Sequence, residues 1–460
     1  MVNLEQVRDR MEAEKANLCQ KMKISTLGFE WSLERESCTN DGDVLEGLQP
    51  HSNIRSLEIW NYMGEKFPVW LLLMKIPSHG NTLLFNNLER LCLKKCNRCE
   101  EIPSLGHLPC LKILEVVGME TVRCIGNSFY SREGERTSGW KETMPLFPAL
   151  KVLYLGNMES LVEWMAPVAG GGCDTVAFPC LEELSIERCH RLETIPISHF
   201  SSLVQLRING CDELSNLSDE LKAFTSLKYL TVSNCRNLAS FPNLQCLTSL
   251  KQLRIEFCDK VTSFPRGLQS CTSLEQLVIR QCQELISVPR DLQGMCSLVL
   301  LQITECPSLT YFAEDSLCCL TRLKRLIIGP FSKELETFPG LTSLPALHTS
   351  LESVCIKGWE RIKCLPDQLQ HLTALKLLKI VDFSGVKAFP DWLGSLSSLR
   401  RLAIFRCKNL MCLPVSLQRL SNLRTLTIYG CPLYERSYDR KSVPEWSKIS
   451  HIPQVCIFES

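Results

Sequence analysis

Apolar residues recur along this chain in the frame L-x-x-L-x-I: Leu399, Leu402 and Ile404 return as Leu274, Leu277 and Ile279. The frame opens seventeen times, at Ile24, Ile54, Leu88, Leu111, Leu150, Leu181, Leu203, Leu227, Leu250, Leu274, Leu298, Leu323, Leu351, Leu375, Leu399, Leu423 and Ile452. From Leu181 to Leu323 the steps between openings are 22, 24, 23, 24, 24 and 25 residues. Alternation at Leu402 and Ile404 sends both side chains to one face of a short strand. The L-x-x-L steps at Leu393, Leu396 and Leu399 suit a tight helical return, so strand and return share one interior.

One strand and one return per period of about 20 to 29 residues is a leucine-rich repeat. The fold it predicts is an α/β solenoid: a horseshoe with a parallel concave β-sheet and a short irregular or 3-10 helical convex side. At roughly 150 residues per domain the chain length of 460 would give about three globular domains. A solenoid grows by stacking instead, so one elongated body is expected.

Four parts are expected within it. Residues 1–22 form a helical partial repeat, with helical spacing at Leu4, Val7, Met11 and Leu18. Residues 23–180 are repeats with longer insertions, residues 181–431 are regular repeats, and residues 432–460 close the stack with Trp446, Ile449, Ile452, Val455 and Ile457. Steps of 34, 39 and 31 residues open at Ile54, Leu111 and Leu150, and their excess falls in stretches such as Ser131 to Gly139 and Ala169 to Gly172. Such polar or glycine-rich stretches read as surface loops. No cap is recognisable ahead of the strand near Ile24, so the chain reads as beginning inside a solenoid.

The cysteines follow the repeat rather than any pairing logic. Cys96, Cys189, Cys211, Cys235, Cys258, Cys282, Cys306, Cys407 and Cys431 each lie eight residues after a frame opening. A small side chain that packs as a hydrophobe and offers a weak S–H donor suits that turn, which predicts buried thiols in a reducing compartment. Fifteen residues after an opening stand Pro103, Pro196, Pro242, Pro265, Pro289, Pro366, Pro390 and Pro414. Proline has no N–H for a ladder and fits the convex side; Ser218 and Ala313 take that slot in two coils.

Charge narrows the partner class without naming it. Fifty acidic and 51 basic residues leave a net charge of +1, so no whole-chain field points to nucleic acid or an anionic membrane. The longest apolar run, Val69 to Met74, falls far short of the roughly 20 residues that span a bilayer. The start of the chain is too charged for a signal peptide, which predicts a cytoplasmic protein. No H-E-x-x-H or G-x-S-x-G occurs, and no enzyme or cofactor is expected. Cys96 and Cys99 form one C-x-x-C near Cys92 and His107, but no second pair supports a zinc site.

Several segments carry a resemblance. Leu105-Gly106-His107-Leu108-Pro109-Cys110-Leu111, Gly118-Met119, Cys124-Ile125-Gly126-Asn127-Ser128-Phe129-Tyr130 and Phe389-Pro390-Asp391-Trp392-Leu393-Gly394 are of this kind. So are Gly430-Cys431-Pro432-Leu433 with Trp446 to Pro453, and Glu12 to Leu18 with Phe29-Glu30-Trp31. Together they resemble the leucine-rich-repeat region of plant intracellular immune receptors of the coiled-coil, nucleotide-binding, leucine-rich-repeat class. The resemblance implies a role in defence, by recognising a pathogen effector or a guarded host protein and by restraining a nucleotide-binding switch domain. A phosphate-cradling G-x-x-x-x-G-K-[S/T] is absent, as the sequence has no Gly-Lys pair. The switch is therefore not in this chain, which is expected to be a truncated product or a fragment.

Residues that alternate with the buried strand positions face outward on the sheet. Arg207, Arg254, Glu256, Arg280, Arg325, Lys357, Lys379, Arg401 and Arg406 read as a mainly basic strip there, joined by Trp60, Tyr154, Tyr229, Phe257, Trp359, Phe405 and Tyr429. Arginine with aromatics is the mixture enriched in interface hot spots. The partner expected is thus a protein, with no nucleic acid and no membrane. Two alternatives stay open: a substrate-receptor solenoid of a ubiquitin-ligase-type assembly, for which the first 20 residues are short, and a truncated non-signalling homologue.

Overall fold

Every one of the seventeen frames becomes a parallel strand in the computed structural model. The structure describes residues 1–34, 40–73, 85–130, 145–167, 176–217, 221, 224–289, 292, 294–313, 316–339, 341–431 and 444–458. The stretches from Ser131 to Gly139 and Ala169 to Gly172, Ser218, and the closing segment up to residue 443 lie outside the described residues. The chain divides into two compact units, Met1–Asn237 and Leu238–Ser460.

The first unit holds eight strands: Thr26–Glu30, Ser56–Trp60, Arg90–Lys94, Ile113–Val117, Val152–Gly156, Glu183–Glu187, Gln205–Asn209 and Tyr229–Ser233. Register is identical throughout. Leu27, Leu57, Leu91, Leu114, Leu153, Leu184, Leu206 and Leu230 lie rung on rung, as do Phe29, Ile59, Leu93, Val116, Leu155, Ile186, Ile208 and Val232. Both rows are buried. Behind them Phe129, Phe147, Phe178 and Phe200 stack, with ring centroids 4.9, 4.8 and 5.3 Å apart.

Residues 1–22 are not one amphipathic helix. Asn3 and Asn17 adopt left-handed backbone and break the segment into turns at Leu4–Gln6, Arg10–Glu14 and Leu18–Gln20. Leu4, Ala13 and Leu18 point inward, whereas Met11, which the spacing placed on the apolar face, is 76% exposed. Arg10–Glu14 packs on Asp41–Gly47, where any Cβ at Gly47 would lie 2.7 Å from the Arg10 carbonyl oxygen. The Met1 amine donates to the Gly28 carbonyl, and Glu30 N–H donates to the Met1 carbonyl. The first strand thus has backbone partners that the spacing did not reveal.

The second unit holds nine strands: Gln252–Glu256, Gln276–Arg280, Leu300–Thr304, Arg325–Ile328, Ser353–Lys357, Leu377–Val381, Arg401–Phe405, Thr425–Tyr429 and Gln454–Phe458. An inner row runs from Leu253 through Leu277, Leu301, Leu326, Val354, Leu378, Leu402 and Leu426 to Val455, beside isoleucine at every second inner position. On the return side Pro366, Pro390 and Pro414 immediately precede 3-10 turns at Asp367–His371, Asp391–Ser395 and Val415–Arg419. Each unit is an α/β leucine-rich-repeat solenoid. Each also carries a small parallel pairing away from the main sheet, Cys124–Ile125 with Glu163–Trp164 and Ser287–Val288 with Tyr311–Phe312, which the period alone did not predict.

Candidate interaction surface

Most strands end in the same way. In fourteen coils the residue just past the strand takes positive φ: Asn61, Lys95, Gly118, Asn157, Arg188, Gly210 and Asn234, then Phe257, Gln281, Glu305, Gly329, Asp382, Arg406 and Gly430. That bend turns the chain into the interior, where the ladder cysteine packs. Its thiol donates back to the strand's last carbonyl, as from Cys235 to Ser233 at 3.3 Å, Cys306 to Thr304 at 3.4 Å and Cys431 to Tyr429 at 3.5 Å. Burial pushes the thiols of Cys189 and Cys306 up to about 11, as expected when the charged form is desolvated. Cys96 and Cys99 donate to the carbonyls of Ile59 and Gly64, and no cluster of three metal-ligating side chains occurs among the described residues.

In the first unit the outward face is not basic. Five carboxylates, Glu30, Glu58, Glu115, Glu183 and Glu187, outnumber Arg90, Lys94 and Arg207 at its outward strand positions. Arg90 lies 3.0 Å from Glu115 and 3.9 Å from Glu58, Lys94 sits 4.6 Å above the Trp60 ring, and Tyr154 donates to Glu187 at 3.0 Å. Arg207 is exposed and Tyr229 is 39% exposed. The basic strip read from the sequence counted Arg207 here and overlooked the glutamates.

In the second unit the outward strand positions hold Arg254, Arg280, Arg325, Lys357, Lys379 and Arg401 against the single carboxylate Glu256. Part of that charge is spent internally. Arg254 pairs with Glu256 at 2.9 Å, while Glu305 takes Lys357 at 2.6 Å and Arg280 at 3.4 Å. Burial opposes ionisation of Glu305, yet the Lys357 hydrogen bond and the two cations hold its carboxyl below the usual range. Arg325, Lys379 and Arg401 have no ion pair among the described residues.

Three expected positions move. Arg406 is past its strand, in left-handed backbone, and grips Asp382 with two hydrogen bonds of 2.6 Å. Phe257 occupies the equivalent bend, under the Arg280 guanidinium at 5.5 Å. Trp359 is buried, with its indole N–H on the Leu335 carbonyl at 2.7 Å. It lines, with Glu305, Pro330, Lys333, Glu360 and Asp382, a cleft of about 430 Å³ beyond the strand ends. Phe405 and Tyr429 do share the sheet face, their rings 6.1 Å apart, with Lys379 4.6 Å above Phe405. Phe458, not singled out in the sequence, joins them as the register partner of Tyr429.

Comparison with known families agrees with the coils. A model of the R13L1/DRL21 leucine-rich repeats matches residues 1–119 and 360–431. A second, of the leucine-rich repeats of RPS2-like plant disease resistance proteins, matches residues 72–211. By these matches the chain is a leucine-rich-repeat region similar to those of the plant disease resistance proteins. A disease resistance RPP13-like protein 1 of Arabidopsis thaliana is 31% identical over 301 residues, 54% of this chain and 28% of its own length. Disease resistance protein RGA2 of Solanum bulbocastanum is 30% identical over 247 residues, 52% of this chain and 23% of its own. The chain thus spans about a quarter of these relatives. Among solved structures, a leucine-rich-repeat protein of Leptospira interrogans aligns over 96% of this chain and 97% of its own at 15% identity, with a TM-score of 0.46. These disease-resistance repeats are of a class that works by protein contact. Among the described residues no helix is long and apolar enough to cross a membrane.

Proposed function

We propose that this chain is the recognition region of an immune receptor in the plant cytoplasm, and that it is not an enzyme. Its partner in this reading is a pathogen effector or a guarded host protein rather than nucleic acid or membrane, met on the outward sheet face of the second unit. A further contact in the same reading restrains a nucleotide-binding switch domain. The observation that supports it is the set of six cations with Phe405 and Tyr429 on that face, three of the cations without an ion pair among the described residues. Arginine and aromatic side chains are the ones that carry binding energy in protein interfaces.

Charge reversal tests it best where no ion pair among the described residues is broken, the remaining interactions being the field of Glu352 at Arg325 and the Phe405 ring under Lys379. Reversal at Arg254 or Arg280 would set a new carboxylate against Glu256 or Glu305. Arg325→Glu, Lys379→Glu and Arg401→Glu together are expected to abolish association with proteins of pathogen-challenged leaf tissue. Thermal unfolding should move little, because exposed substitutions usually cost within about 0.5 kcal/mol each. If the triple variant retains the same bound proteins, the face is not the recognition surface.

A further inference from the structure

The last four strands of the second unit, from Leu377–Val381 to Gln454–Phe458, present a face unlike the strands before them. Register sets Val381 beside Phe405, Phe405 beside Tyr429 and Tyr429 beside Phe458; Val381 is only 4% exposed, so the accessible part of this apolar column is its three rings. Phe458 is 56% exposed. Three outward positions on each of four strands make twelve, and none holds a carboxylate. Two hold cations: Lys379, whose ammonium lies over Phe405, and Arg401, which is exposed. The neighbouring Asp382 is engaged by both arms of Arg406. On earlier strands, by contrast, Glu256 and Glu305 neutralise Arg254, Arg280 and Lys357.

We propose that this patch docks an acidic segment of a protein partner, one whose carboxylates alternate with aromatic or aliphatic side chains. The assignment rests on the receptor reading above and names the chemistry of its partner. The aromatic column supplies apolar area and ring faces for the partner's hydrophobic side chains. The ammonium and guanidinium, with no carboxylate paired to them among the described residues, complement its acidic ones and favour its encounter. A basic segment meets only like charge there, and an acidic segment lacking apolar side chains leaves the ring column uncovered.

Fluorescence anisotropy of the whole chain with labelled short peptides tests the assignment. Three probes are needed: glutamate alternating with leucine and phenylalanine, the same peptide with lysine for each glutamate, and glutamate alternating with serine. The first is expected to bind at least about tenfold more tightly than either of the others, and less tightly as salt rises. Phe458→Ala, at an exposed position with little bearing on folding, should weaken it several-fold, as should Lys379→Gln with Arg401→Gln. Gln276→Glu, on a strand outside the patch, should leave it unchanged. Equal binding of the acidic and basic peptides, or full binding by the Phe458→Ala and Lys379→Gln/Arg401→Gln variants, overturns the assignment. If the assignment fails in this way while the reversal variant above still loses its leaf partners, the receptor reading stands. Selective peptide binding with those partners unchanged removes the receptor reading instead.

Discussion

Just past fourteen of the strands, one backbone torsion must be met by very different side chains. Glycine and asparagine accept left-handed backbone readily, while Lys95, Arg188, Phe257 and Glu305 hold it against the clash of Cβ with the following carbonyl. Neighbouring rungs also crowd there: a Cβ on Gly210 would meet the Arg188 Cα at 3.3 Å, and one on Gly118 the Lys95 Cα at 3.3 Å. Gly210→Ala is therefore expected to cost about 1–2 kcal/mol, and Lys95→Gly to cost nothing or stabilise slightly. Urea unfolding of the two variants checks the pair; a neutral Gly210→Ala would show that the bend relaxes freely. This column was not legible in the sequence because glycine and asparagine fill only half of it. The cysteine beside it was legible because burial restricts what fits, and the same burial leaves the bend residue's side chain unconstrained.

At the level of strand and return, the inner rows were legible because leucine and isoleucine at fixed spacing have one physical reading. What the spacing hid was substitution within it. Phe85, Phe147, Phe178, Phe200 and Phe224 each stand three residues before a frame opening, where Leu396 stands before Leu399. Three of them, Phe147, Phe178 and Phe200, join Phe129 in an aromatic stack inside the first unit. Phe178, in contact with Phe147, Tyr130 and Phe200, is fully buried. Phe178→Ala should cost about 3–5 kcal/mol, enough to melt the adjoining coils, because no neighbour can fill the space. Hydrogen exchange localised to residues 113–209 would report it, and protection equal to wild type would contradict the stacking account. Charges on the sheet face were misjudged for a different reason. Isolated letters show neither that Glu305 sits between Arg280 and Lys357 nor that glutamates dominate the first unit.

For the whole molecule several buried thiols, some in the ladder and some beside it, set a pH dependence. Cys189, Cys271 and Cys306 are pushed by burial to about 11, and Cys92 and Cys99 to about 12, from an ordinary value near 9. A raised thiol keeps its proton in the folded chain after the unfolded chain has lost it. The stability it contributes is present below pH 9 and is lost as pH climbs toward 11 and 12. In reductant, the urea midpoint should hold from pH 7 to about 8.5 and fall steadily beyond pH 9; a flat midpoint to pH 11 would mean that these thiols open to water. The same interior explains why the solenoid was read so directly from its period while its recognition face was not. Every coil has to satisfy its neighbours, and nothing inside the chain has to satisfy the outward column.

The shared register of successive rungs has a genetic consequence. Loss or duplication of a segment of one whole period, such as residues 250–273, joins a coil to another whose inner positions fall in step with it, whereas a change of one residue within a strand would turn its leucines to water. Recombination between similar coils can therefore lengthen, shorten or reorder the displayed surface while sparing the packing beneath, and new binding specificities become reachable by exchange of whole units rather than by point substitution alone.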